Sequence, residues 1–129
     1  MAKEIVICII IIFFIFVGDV VTQNFTKDSI SEASRNLNVL RNELVKEDVD
    51  SELLKEKIIK VRGDWDNRHK KLAYYIEHNE LEKVDTDLTV LYAYIQVKEY
   101  KEAVTELDRT VYVLEHIKNK NTFNLENIF

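Results

Sequence analysis

A chain of 129 residues with two Gly (Gly18 and Gly63), no Pro and 32% charged beside 47% hydrophobic residues is long enough for one domain. It lacks the turn-formers a strand-rich fold requires, so long helices joined by short connections are expected. The net charge of −5 belongs wholly to the chain after residue 18, because Lys3 and Glu4 cancel; with no Lys/Arg stripe, this acidic region argues against nucleic acid as a partner and against adsorption of the whole domain onto an anionic bilayer.

The first element is an unbroken apolar run over residues 5–17, thirteen in all, followed by Gly18-Asp19 and then Val20-Val21. Thirteen residues match the apolar core of a secretory signal. Residues 5–22 count eighteen, roughly 27 Å of helix, against a hydrocarbon layer about 30 Å thick. Signal cleavage needs small residues flanking the cut, and Phe16-Val17-Gly18 and Val20-Val21-Thr22 both fit poorly. A retained transmembrane anchor over residues 1–22, in contact with membrane lipid, is therefore preferred to a cleaved signal or a buried core helix. The short N-terminal flank carries Lys3 and the α-amine, which favours the amino terminus inside and the remaining domain outside the cytoplasm. Cys8 is the only cysteine and lies within the apolar run, so it forms no internal disulfide and reveals no redox compartment.

Residues 23–129 are expected to form a bundle of four helices near 24–47, 51–78, 80–97 and 99–120. In the first, Ile30, Leu37, Leu40 and Leu44 line one face, with Ala33 and Ser34 at small positions. In the second, Leu54, Ile58, Val61, Trp65, Arg68, Leu72 and Tyr75 alternate steps of four and three. The third carries Leu81, Val84, Leu88, Leu91 and Ile95, and the fourth Tyr100, Val104, Leu107, Val111 and Leu114. Such stripes bury one another as an antiparallel bundle, with Trp65, Leu72, Leu88, Leu91, Leu107 and Leu114 as its core. Residues 46–51 offer N-caps for the second helix, and Asn79 with Glu82 fits a capping box for the third. The break between the third and fourth, near residues 96–99, has neither Gly nor Pro, so a continuous or kinked helix is the alternative there. Gly63 lies inside the second helix, where it leaves space for a bulky neighbour near Trp65.

An up-down path places the ends of the second and fourth helices at one end of the bundle, beside the membrane. His78 and His116, with Glu80 nearby, would then form a candidate metal or proton-sensing cluster. Neither His has a second His at i+4, and capping of helix ends by imidazole explains both residues as well. Arg68 on the second stripe either pairs with an acid of another helix or grips an anion. The six tyrosines serve as half-buried flanks or as a partner surface. No nucleophile elbow, phosphate loop, clustered Cys/His or His-Glu-x-x-His pattern is present. The expectation is a non-enzymatic protein for which the residues identify no cofactor and no small-molecule ligand.

The chain resembles a family of short, largely clostridial Firmicutes membrane proteins of unknown function. The likeness lies in the apolar N-terminus, Trp65, Tyr75-Ile76-Glu77-His78, Glu80-Leu81, Val84-Asp85, Leu88, Leu91, Ala103, Leu107, Leu114-Glu115-His116-Ile117 and the tail Leu125-Glu-Asn-Ile-Phe129. The resemblance implies a single-pass, membrane-anchored helical protein encoded near multi-spanning membrane proteins, and it carries over no catalytic residue. Together these readings point to an interaction or regulatory module docking on an integral membrane partner, with an extracytoplasmic ligand- or metal-sensing bundle as the alternative.

Overall fold

The computed structural model describes the backbone of residues 1–126 and the side chains of residues 1–121; the end of the tail that contributes to the family resemblance lies outside the described residues. Among the described residues all regular structure is helical: α1 (Ala2–Leu44), α2 (Ser51–Leu72), α3 (His78–Gln96) and α4 (Tyr100–Glu126). α1 packs on α2 and α4, and α3 packs on the same two helices, while among the described residues the backbones do not approach across either diagonal. The result is a square antiparallel bundle. Side-chain pairs fix the direction, since residue numbers fall on one helix as they rise on its neighbour. Asn36 meets Asp64 between α1 and α2, and Phe25 meets Tyr75 just past the end of α2; Lys120 meets Glu80 and Arg109 meets Asp87 between α3 and α4.

The core follows the aliphatic stripes. Ile30, Leu37 and Leu40 of α1, Leu54, Ile58 and Leu72 of α2, Leu81, Leu91 and Ile95 of α3, and Leu107, Leu114 and Ile117 of α4 are fully buried. Trp65 and Leu88 join them with little exposure. Truncating any one of these to Ala would cost about 2–5 kcal/mol, through lost transfer free energy and the cavity left behind. The seam of α4 is rotated from the expected stripe. Ala103, Glu106, Leu107, Thr110, Leu114 and Ile117 face inward, while Tyr100, Val104 and Val111 pack only at its flanks. α4 lies between α1 and α3, and small or polar residues at 103 and 110 let it approach both.

No backbone break separates the apolar segment from the bundle. α1 runs through residue 22 as one helix of 43 residues, about 64 Å long. The boundary is one of burial alone: the apolar residues up to Val21 are exposed, and Thr26 is the first buried side chain. Across the junction the Thr22 hydroxyl donates to the Gly18 carbonyl at 2.8 Å, and Gln23 donates to Asp19 at 3.4 Å.

The connections differ from expectation in two places. α2 ends at Leu72 instead of continuing to 78, because the backbone turns over residues 73–77 and drops Ile76 into the core. α3 then begins at His78 with Glu77 as its N-cap and no side-chain capping bond, so the Asn79–Glu82 capping box does not form. Glu82 instead meets His78 Nε2 at 3.0 Å. Between α3 and α4 the chain breaks cleanly: Lys98 adopts φ 60°, and Lys98 N–H donates to Ile95 O and Glu99 N–H to Tyr94 O. This is a Schellman closure with lysine at the position glycine usually fills. At the α1–α2 turn, Asp50 caps α2 by accepting from the backbone N–H groups of Glu52 and Leu53, both at 3.1 Å. A Cβ on Gly63 would meet nothing within 4 Å; the glycine makes room for no neighbour.

Candidate functional site

Three polar constellations lie on or between the helices. On α2, Asp64 accepts from Arg68 Nε at 2.7 Å and from Asn36 Nδ2 of α1 at 3.0 Å. Arg68 is thus paired one turn along its own helix, not with an acid of another. One turn away, Asp85 of α3 accepts from the buried Trp65 Nε1 at 2.6 Å and meets His69 Nδ1 at 3.0 Å. The Trp65 and His69 rings pack edge-to-face with centroids 6.1 Å apart. An indole donor buried among aliphatics needs such an acceptor, and Asp85 provides it while remaining partly exposed. The sequence carries no signal for His69 beyond its i, i+4 spacing from Trp65.

The third constellation lies between α3 and α4, where Asp87 and Glu106 are both buried. Burial raises the Glu106 pKa above the usual carboxylate value, the hydrogen bond and the charge of Asp87 raise it further, and Arg109 opposes them. Glu106 Oε1 has no hydrogen-bond partner, and Arg109 approaches Asp87 only to 3.8 Å. Burial beside a second carboxyl group therefore disfavours the charged form of Glu106. Thr110, one turn on, donates to the Glu106 carbonyl at 2.8 Å.

His78 and His116 occupy the same end of the bundle without forming one cluster. His78 is exposed at the start of α3 and bonded to Glu82. His116 lines an open groove of about 240 Å³ with Glu80, Lys83 and Tyr112. Glu80 is held by Lys120 Nζ at 3.0 Å, and that contact raises the lysine's pKa. Among the described residues no three His, Cys, Asp or Glu side chains come together as a metal-holding group. Trp65, Leu72, Leu88, Leu91, Leu107 and Leu114 are all in the core.

The remaining feature is larger than any groove. From Ile5 to Val21 the apolar side chains of α1 stand clear of the rest of the molecule, with Phe14 at 69% exposure. α1 is the one described helix long and apolar enough to cross a membrane. At the opposite end of the charge scale, Arg41 Nε and Nη2 grip the Asp108 carboxylate at 2.8 and 3.2 Å, tying α1 to α4.

Helical proteins built on a single up-down bundle form the broad class to which this architecture belongs. Within it, residues 20–128 match the domain of unknown function DUF4363, and the chain belongs to that family. The match begins at the end of the apolar run, leaving the first 19 residues outside it. No curated protein and no solved structure shows significant similarity to the chain.

Proposed function

We propose that the protein is a membrane-anchored interaction or regulatory module whose bundle stands outside the cytoplasm and docks on an integral membrane partner. The observation that carries this reading is α1 itself, one helix whose first half is wholly exposed and apolar while its second half is a wall of the bundle. Apolar surface of that extent is stable only in lipid or against another protein. Because the helix does not break, the anchor sets both the height and the rotation of the bundle above the bilayer. A module presented in this way suits lateral binding to a neighbour in the same membrane. The resemblance to Firmicutes proteins encoded near multi-spanning membrane proteins supports the same partner class, and Lys3 supports the orientation. The role is binding, not catalysis.

Membrane fractionation at native abundance, followed by crosslinking and purification in mild detergent, tests the reading. The chain should resist alkaline extraction and bring an integral membrane protein with it. Recovery of the chain alone would end the docking role, and a mature chain starting beyond residue 22 would end the anchor.

A second reading, an extracytoplasmic ligand- or metal-sensing bundle, is favoured by the groove that Glu80 and His116 share. It predicts a raised melting temperature with zinc or another divalent ion. A melting curve unmoved across a metal panel removes it.

A further inference from the structure

The end of the bundle nearest the apolar half of α1 carries aromatic side chains that the core does not use. In the turn between α2 and α3, Tyr74 is 84% exposed and Tyr75 52%, and their rings lie 6.4 Å apart. Neither is needed to close the core there, because Leu72 and Ile76 do so. Tyr75 packs edge-to-face on Phe25 of α1, with ring centroids 6.3 Å apart. That contact fixes the height of the turn. Phe25 lies four residues beyond Val21, which ends the exposed apolar segment of residues 5–21 interrupted by Gly18 and Asp19, or about 6 Å along the helix axis. The headgroup layer on each side of a bilayer is about 5–8 Å thick. If the apolar run fills the hydrocarbon, Tyr74 and Tyr75 stand at the level of the headgroups.

The chemistry at that level is what an interface takes. A tyrosine presents an apolar ring with a hydroxyl at its tip, the combination enriched at membrane–water boundaries. Lys71 lines the same groove as Phe25, and a lysine there reaches phosphate with its stem along apolar surface. Local charge is close to balanced: Lys27, Lys70 and Lys71 lie near this end in the sequence together with Asp28 and Glu77, and Glu77 meets Lys120 at 3.7 Å. The acidity that repels the domain as a whole from anionic lipid therefore does not hold off this corner.

We propose that the α2–α3 turn is a second membrane contact, in which Tyr74 and Tyr75 insert into the phospholipid headgroup layer and hold the bundle against the bilayer at a fixed tilt. The inference rests on the anchor reading of α1. The occupant is the lipid interface of the membrane that α1 crosses. Free in solution, the acidic domain is repelled by anionic lipid; tethered, the turn has only to settle where α1 has already put it.

Spin labels on the full chain in phosphatidylcholine–phosphatidylglycerol vesicles test it. With Cys8→Ser as background, single labels go at Ile12→Cys, Tyr74→Cys and Tyr112→Cys. Tyr112 is exposed and lies on α4 about 12 Å before Lys120, so it reports a site clear of the surface. Each label is read by its collisions with oxygen, which concentrates in lipid, and with a nickel chelate, which stays in water. The expected result is an Ile12 label open to oxygen and closed to nickel, with nickel access at Tyr74 several-fold below that at Tyr112. An Ile12 label in lipid with equal nickel access at Tyr74 and Tyr112 overturns the second contact while leaving the anchor standing. A Tyr74 label shielded from both probes means that protein, such as a second copy of the chain, covers the turn, and also overturns it. An Ile12 label in water overturns both readings.

Discussion

Glu106 and Asp85 show how much single side chains set within an otherwise aliphatic bundle. Burial and the neighbouring Asp87 raise the Glu106 pKa, so the folded chain holds that proton more tightly than the unfolded one. The stabilisation is complete below the unfolded value of about 4.5 and is lost as pH rises through the higher folded value. At neutral pH the charged form lacks a partner for Oε1. Glu106→Gln should therefore raise the unfolding free energy at pH 7, by about 1 kcal/mol for one buried hydrogen bond restored. The gain should vanish by pH 4, as read from paired urea melts across that range. Asp85→Ala strips the acceptor from the buried Trp65 N–H, at a cost of about 1–3 kcal/mol. Trp65 is the only tryptophan, so its emission maximum should shift in the folded variant. An unshifted spectrum with unchanged stability would show that water serves the indole equally well.

Helix ends show where local chemistry and the fold disagree. Lys98 is held at φ 60°, in the left-handed region that costs a residue with a Cβ about 1–2 kcal/mol. The Schellman bonds and the burial of α3 and α4 on either side impose it. Lys98→Gly should thus stabilise the protein by about 1 kcal/mol, despite the extra backbone freedom glycine gives the unfolded chain. Thermal melting checks the sign; a loss of stability would mean that the lysine makes a contact worth more than its strain. α1 is the opposite case. Its first half is apolar and exposed and its second half is packed in the bundle, yet the backbone hydrogen bonds run on through the junction. Gly18 does not interrupt them, because a single glycine within a helix costs only about 1 kcal/mol.

Over the whole molecule, packing is uneven. α4 runs close against both α1 and α3, whereas α2 approaches its two neighbours over less of its length; open grooves flank both sides of the bundle, one of about 260 Å³ between α1 and α2 and one of about 340 Å³ between α3 and α4. Local opening follows the number of buried apolar contacts. Amide hydrogen exchange should therefore find α2 opening at a lower free energy than α3 or α4, while Trp65 and its partners slow exchange near the middle of α2. Equal protection in all four helices would mean that the bundle opens only as a unit. The same unevenness bears on docking. On the proposed anchoring, a loosely packed α2 is the part of the bundle best able to adjust to a partner or to the headgroup layer.

The sequence by itself determined the helices and their aliphatic seams. Apolar residues recurring at three and four positions encode a buried face locally, so the core leucines and Trp65 were legible without any knowledge of neighbours. The apolar run over residues 5–17 was legible for the same reason. Only the tertiary structure decided which polar groups share the interior, because Asp87 meets Glu106, and Asp85 meets Trp65 and His69, through the rotation of one helix against another. That rotation also turned the seam of α4 toward Ala103 and Thr110, ended α2 at Leu72, and set Tyr75 against Phe25. Periodicity along a chain fixes which face is apolar; how two such faces mesh depends on side-chain shape across the interface, and no local pattern records it.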